Sequence, residues 1–531
     1  MCAITGGFGP GLKELSGFRN LMAGRGPDAF ATRVGENFSV CHSRLAVVGT
    51  GALDVAQPFF DSGVSLLVNG FISNYKEIRA SHGWAARPSD CSVILSLYLK
   101  GGTAALGQLR GQFAGVLIDE NKNKAILFRD ASGITPLYYA SVGEHVLFSS
   151  QASWLPALAD YFEIPYSPSL NRAALAEWRS CGYSVGPKTL LNGIQSVQPG
   201  TTVEVNLGNG VVRSRKPFFD WRHPELDESY LEAAKRLVKQ AVRRNLQADK
   251  PPFLLFSGGV DSTLILHCAV EAGKRPRLVT LAYPDGENEA ELAHAAEVAD
   301  HYGCPLDVVK FVMPNRAELQ KLFAERIDWP LDGGSLLPKI ALADYCRSEG
   351  AVTVLGGSGA DELFGGYRRH SARLELYRRG ALSNVVLERN YFCEWIGKHD
   401  DNGLGPYRLF IQCARDARYA DPGFVYDLCE LSQLHNPRLD SCFSNIGIEY
   451  RPVFQDQDLV RFAASLRLDT KMVDGTTKGM LRDAFADEVP AHFLSVPKMP
   501  LRFAEMGPSL KWRERVMAAW ICSKDLASSA A

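Results

Sequence analysis

The stretch FLLFSGGVDSTLILH, residues 253–267, decides how the second half of the chain is read. An apolar run enters a short loop of small and polar residues, and a second apolar run leaves it. The pattern predicts a buried strand, a tight turn and a helix, the junction at which open α/β sheets bind ligands. Ser257-Gly258-Gly259-Val260-Asp261-Ser262-Thr263 would present backbone N–H groups and a helix N-terminus to an anion. The glycines allow close backbone approach, and Ser257, Ser262 and Thr263 can donate hydroxyl bonds. Asp261 suits such a cradle only if a cation is shared between carboxylate and phosphate, and Mg2+ is the natural ion. The kinase-type loop GxxxxGK[ST] is excluded, because its spacing and its lysine are missing.

Outward from this loop, strands and helices alternate. ESYLEAAKRLVKQAVRRNL reads as an amphipathic helix, RLVTLAY and PLDVVKFV as strands, ELAHAAEVADHYG and KIALADYCRSEG as helices, and AVTVLGG as a further strand. This predicts a doubly wound parallel α/β sheet from about residue 217. From about residue 367 the chain reads as mostly helical, and its last nine residues, SKDLASSAA, as a frayed tail. Residues 1 to about 210 differ. SVCHSRLAVVG, VSLLVNGF, GQFAGVLID, KAILFRD, PLYYA and HVLFSS are short strands, SDCSVILSLYLKGG is a helix, and VQPGTTVEVNLGNGVVRSRKPFFDW is a closing hairpin. The expectation is an α+β domain over 1–216 and an α/β domain over 217–531.

The 531 residues carry a net charge of −1, so a basic nucleic-acid footprint is absent. No segment approaches the ~20 apolar residues of a membrane helix, and no signal peptide is expected at the N-terminus. The 12 cysteines are scattered without a CxxC pair, which suits a reduced cytoplasmic protein with neither nucleic acid nor membrane as partner.

One cysteine stands apart. The chain begins MCAITGG, and removal of Met1 would give Cys2 a free α-amine. An α-amine titrates near 7.7–8.0 and a thiol near 8.5, so the amine can act as the thiol's own base.

Several motifs carry a family resemblance. SGGVDST resembles the pyrophosphate loop of enzymes that split ATP into AMP and pyrophosphate. VLGGSGADELFGGY (354–367) adds Gly356 and Gly357 as further ATP contacts and Asp361 as a second carboxylate for the Mg2+ held by Asp261. At the other end, MCAITG, GRGPDAF (24–30), HSRLAVVG (42–49), VNGFISNYKEIR (68–79), SDCSVI (89–94) and RDASGITPLYY (129–139) resemble the glutaminase domain of class II glutamine amidotransferases. The resemblance implies an N-terminal-nucleophile fold with αββα layers. It makes Cys2 the nucleophile, Arg44 the partner of the glutamine α-carboxylate and Asp90 the partner of its α-amine. Asn69 and the Gly70 N–H would form the oxyanion hole, where losing one donor costs about 3–4 kcal/mol.

The two halves together resemble asparagine synthetase and its relatives. IEYRPVFQDQDLVRFA (448–463) and GTTKGMLRDAF (475–485) extend the likeness, with Glu449 and Lys478 as catalytic residues and Lys478 on the ATP phosphates. Implied are glutamine hydrolysis at Cys2, adenylation of a carboxylic acid by Mg-ATP, transfer of ammonia between domains, and a homodimer.

The chain departs from the family pattern at four places. Phe71 replaces the acid of NGE, Ser358 replaces the glutamate of SGEGADE, Trp329 replaces the glutamate of DEP, and Glu449–Asp456 varies ExRxPFLD. All four are expected close to the chemistry. Ser358 leaves the acceptor open between aspartate and a specialised acid. Two other readings stand beside this one: a ring-closing, lactam-forming synthetase using an internal amine, and a catalytically retired nucleotide-binding relative.

Overall fold

The computed structural model describes residues 1–50, 56–85, 87, 89–221, 226–330, 335–380, 421, 423–496, 517 and 520. The expected frayed tail and residues 381–420, inside the stretch read as helical, lie outside these.

The N-terminal part is built on twelve strands: β1 (Ala3–Phe8), β2 (Ala29–Gly35), β3 (Phe38–Arg44), β4 (Phe59–Asp61), β5 (Val64–Ile72), β6 (Gly111–Asp119), β7 (Lys124–Arg129), β8 (Tyr138–Val142), β9 (His145–Ser149), β10 (Ile194–Ser196), β11 (Thr201–Asn206) and β12 (Val212–Pro217). They form two six-stranded antiparallel sheets, ordered β10-β8-β9-β1-β3-β2 and β12-β11-β7-β6-β5-β4. Side chains alternate across each sheet. Ile4, Phe8, Val40, Leu67, Val116 and Phe148 fill the space between the sheets, with Phe8 stacked on Phe148 at 5.2 Å. The outer faces take helices. Trp154–Tyr161 and Arg172–Cys181 cover the first sheet, and Tyr75–His82 and Ser92–Gly101 cover the second. The layers are αββα, as expected.

β1, which carries Cys2 at its entrance, is central in its sheet. Its glycines hide it from a pattern search, yet they are what lets neighbouring strands close in. A methyl on Gly6 would lie 2.9 Å from Val40 Cα.

His42 on β3 is buried, and its Nε2 lies 3.2 Å from the Val68 carbonyl. Burial pushes the ring down to about 3, against the opposing pull of that carbonyl. In the unfolded chain it would titrate near 6.5. Stability from this group is therefore complete above that value and falls as the pH drops toward 3. We expect denaturant unfolding to show about 2 kcal/mol lost from this group by pH 5, and His42→Gln to flatten that slope.

The second sheet system has five parallel strands: β13 (Phe253–Leu255), β14 (Arg277–Ala282), β15 (Leu306–Lys310), β16 (Thr353–Gly356) and β17 (Glu449–Pro452), ordered β15-β14-β13-β16-β17. Helices Tyr230–Asn245 and Val260–Glu271 pack on one face, and Leu336–Ser348 and Asn436–Phe443 on the other. The strand order reverses between β13 and β16, the switch point where such sheets hold ligands. The described residues after 367 are mostly helical, as expected, and β17 is the one strand among them. It is an edge strand of four residues containing a glutamate, an arginine and a proline, so it lacks a strand's usual composition.

The two parts meet along a polar seam. The Gln457 amide takes both backbone groups of Gly111 at the start of β6, each at 2.6 Å. Arg244 pairs with Glu77 at 2.7 Å and with Asp456 and Asp458, and Arg110 also reaches Asp458 at 2.6 Å. Arg25 forms a buried two-pronged pair with Asp440 at 2.7 and 2.8 Å. Asp328-Trp329-Pro330 belongs to this seam rather than to a reaction centre. Asp328 accepts from the Ala152 and Ser153 amides, and Trp329 donates to the Tyr138 hydroxyl at 2.8 Å.

Candidate active sites

At the N-terminal centre, Cys2 precedes β1, and its thiol faces Leu45, whose N–H lies 3.3 Å from Sγ. Burial raises the thiol, partly offset by the adjoining terminal amine. Met1 is itself buried. Its amine donates to the Ile448 carbonyl at 3.2 Å, and burial lowers that amine to about 6. Arg44 ends β3 opposite the start of β1, close enough to favour the Cys2 thiolate. Its guanidinium donates to the Gly49 carbonyl at 2.9 Å.

Asn69 lies on β5, completely buried, and neither atom of its side-chain amide has a partner among the described residues. Burying such a group without a partner costs free energy, so the amide is poised for a ligand. Gly70 follows with φ of +152°, and a methyl there would stand 2.6 Å from Phe113 Cα. Asp90 is buried and accepts the Ile72 amide at 2.8 Å, while the next residue's thiol, Cys91, reaches the Gly70 carbonyl at 3.6 Å. Burial raises the Asp90 carboxyl. The charge of Cys2 is felt at Cys91, so Cys2, Gly70 and Asp90 lie near one another.

Glu449 is placed differently from expectation. On β17 it bonds Arg451 at 2.7 Å, and its charge acts on Met1, Cys2 and Asp90. Arg451 in turn lies 3.6 Å from the centre of the Phe71 ring, so the residue that replaces the family acid forms a cation–π contact. Residues alternate along a strand, which puts Glu449 and Arg451 on one face of β17 and Tyr450 on the other. Glu449 thus stands at the cysteine end, not beside Ser358.

At the second centre, Ser257–Thr263 runs from β13 into the helix Val260–Glu271, capped by Gly259. Gly258 has φ of +71°, and a methyl there would lie 3.0 Å from Ala295 Cα. The hydroxyls brace the turn. Ser257 accepts from the Gly259 amide at 3.3 Å, Ser262 donates to the Gly259 carbonyl at 3.1 Å, and Thr263 donates to the Gly258 carbonyl at 3.1 Å. From the adjacent strand β16, Gly356 and Gly357 lead into the loop to Asp361, and a methyl on Gly357 would lie 2.8 Å from Asp261 Cβ.

Lys478 ties the loops together. Its ammonium lies 2.6 and 2.7 Å from the Asp261 oxygens and 2.7 Å from Asp361 Oδ1. Burial opposes its charge, but the two carboxylates prevail and hold it well above the ordinary lysine value. Its backbone is left-handed, φ +55°, which a lysine adopts only when its surroundings enforce it.

Sequence reasoning missed Gly366, although the motif GADELFGGY contains it. A methyl there would collide with Asp361 Oδ1 and stand 2.5 Å from Lys478 Cε. We expect Gly366→Ala to displace both groups and lower ATP-dependent pyrophosphate release by about 100-fold, measured at saturating ATP.

Family models match both parts: a glutamine amidotransferase domain over residues 1–216 and asparagine synthase over 233–530. The chain is 26% identical to asparagine synthetase [glutamine-hydrolyzing] 2 of Bacillus subtilis, over 95% of this chain and 70% of that protein. It is 27% identical to amidase chry2 of Gibberella zeae, over 67% of this chain and 55% of the relative. Amidase chyE of Penicillium rubens matches at 26% over 68% and 56%. No helix among the described residues is long and apolar enough to cross a membrane. The chain belongs to the asparagine synthase family, and it is an asparagine-synthetase-like glutamine amidotransferase, a ligase of the kind that forms AMP and pyrophosphate.

Proposed function

We propose that this chain converts the carboxylate of an acceptor acid into an amide, with glutamine as nitrogen donor and Mg-ATP as activator. One observation carries the reading: two carboxylates far apart in sequence, Asp261 and Asp361, converge on the Lys478 ammonium at the switch point of a parallel sheet.

Residues 1–216 would act on glutamine. Cys2 Sγ attacks the amide carbon, and Asn69 Nδ2 with the Gly70 N–H takes the charge that develops on the oxygen. The C–N bond breaks, ammonia leaves, and water cleaves the thioester to glutamate. Arg44 and Asp90 hold the glutamine α-carboxylate and α-amine.

Residues 217–531 would activate the acceptor. Its carboxylate oxygen attacks the α-phosphorus, and pyrophosphate leaves into the loop formed by Ser257, Gly258, Gly259 and Ser262, with Lys478 alongside. Asp261 and Asp361 offer hard oxygens that fit Mg2+, which when bound would neutralise phosphate charge. Gly356 and Gly357 keep the facing loop free of side chains. Ammonia then attacks the acyl carbon and AMP leaves. A ring-closing reaction would need no glutamine, and Asn69, buried with an unpartnered amide on the strand that carries Gly70, favours the glutamine-dependent form.

The test incubates the purified chain with L-aspartate, glutamine and Mg-ATP and follows asparagine, glutamate, AMP and pyrophosphate by mass spectrometry. Asparagine with matching AMP identifies aspartate as acceptor. Glutamate without asparagine directs the search to other acids. The absence of both asparagine and glutamate would overturn the proposal.

A further inference from the structure

The inference here rests on the proposed function and concerns which acids the second centre accepts. The sheet itself locates the acceptor. Pyrophosphate would lie over β13, while the Cys2 pocket borders β17, since the Met1 amine is bonded to Ile448 and Arg451 lies on Phe71. With the order β13-β16-β17, the shortest meeting place for an activated carboxylate and incoming ammonia is over the ends of β16 and β17. Ser358 and Tyr450 occupy that place.

Ser358 Oγ and the Tyr450 hydroxyl are 2.9 Å apart. The Tyr450 ring is buried and packs on Phe443 at 4.9 Å, and its oxygen sits so close to the backbone of β16 that a methyl on Gly356 would meet the ring 2.6 Å from Cζ. Burial pushes the phenol up to about 12, so both groups of the pair are uncharged near neutral pH.

The carboxylates nearby are already engaged. Asp261 and Asp361 bond Lys478, and Glu362 takes the Tyr367 hydroxyl at 2.5 Å with His435 at 3.5 Å. Glu449 bonds Arg451 on the opposite face of β17. Among the described residues these carboxylates already have partners of their own, and a buried ammonium beside Ser358 and Tyr450 without a dedicated counter-charge is strongly disfavoured. Hydroxyl groups, by contrast, serve a neutral polar group well, as donor or acceptor.

We propose that Tyr450 and Ser358 are specificity-determining residues, a neutral hydroxyl pair that selects carboxylic acids carrying no ammonium next to the group being activated. The acceptor class is a desamino acid rather than an α-amino acid.

The experiment uses the full chain with Mg-ATP and hydroxylamine as trapping nucleophile, reading pyrophosphate and acyl hydroxamate for matched pairs: succinate against L-aspartate, glutarate against L-glutamate, and 3-phenylpropanoate against L-phenylalanine. The desamino member should show kcat/KM higher by at least about tenfold. Ser358→Glu should move the ratio toward the amino member by a similar factor. Tyr450→Phe keeps the ring and should raise the KM of the desamino acid about tenfold while kcat changes little. Amino members equal to or better than their partners in the wild type, or ratios and KM values unmoved by both variants, would overturn the inference. Pyrophosphate release from no acid in the panel would instead overturn the reading of the centre as an acid-activating site, and the inference with it.

Discussion

Cys2→Ala should lower glutamate release from glutamine by about 10^4-fold or more, the scale seen when a nucleophile is removed from a covalent mechanism. The Asn69 amide and Gly70 N–H remain in place, so a small residual hydrolysis is expected from charge stabilisation alone. Ammonium chloride should restore amide formation in the variant, increasingly as the pH rises and more free ammonia is present. That rescue separates a lost nitrogen source from a damaged fold, because the Lys478 centre shares no residue with the Cys2 pocket. Unchanged glutamate release would remove Cys2 from the mechanism. Burial raises the thiol in the chain that retains Met1, whereas trimming would put the α-amine on Cys2 itself.

Lys478→Met carries the second large effect. The substitution leaves Asp261 and Asp361 facing one another without the ammonium that lies within 2.7 Å of each. Removing one partner of a buried ion pair typically costs 3–5 kcal/mol, and about 3 kcal/mol of unfolding free energy is expected here in metal-free buffer. Magnesium chloride should return part of that loss, since an ion that binds only the folded chain stabilises it by mass action. Pyrophosphate release should fall by about 10^3-fold even with Mg2+, because the proposed mechanism sets this cation alongside the leaving pyrophosphate. Chemical denaturation with and without Mg2+ reads the first effect, and a pyrophosphate assay the second. No response of stability to Mg2+ would argue against the two carboxylates as metal ligands.

The parallel sheet was legible because its strands are apolar runs separated by amphipathic helices, and the strand predicted at PFLLFS, residues 252–257, and the helix that follows fall at β13 and Val260–Glu271. Of the Lys478 centre, Asp261 and Asp361 fall in short motifs that follow strands β13 and β16, whereas Lys478 precedes the helix Gly479–Ala484 and was singled out by the family resemblance alone. What stayed hidden depends on which way a side chain leaves its strand. Glu449 and Tyr450 are neighbours in sequence but serve opposite faces of β17, and β17 itself gives no apolar signal. β1 was obscured by Gly6 and Gly7, chosen for closeness rather than strand propensity. Trp329 looked like an altered reaction-centre residue, but its position on the seam follows from a bond to Tyr138, far away in sequence.

The Gln457 clasp on Gly111 also bears on how such enzymes can diversify. A side chain from one half completes the backbone pairing of the other, at the strand directly beside Asn69 and Gly70. Swapping the C-terminal half for a counterpart from another lineage would sever those two bonds unless position 457 again offered a carboxamide. The C-terminal half thus carries a constraint set by the other half, one that in-place changes at residues such as Ser358 and Tyr450 leave untouched.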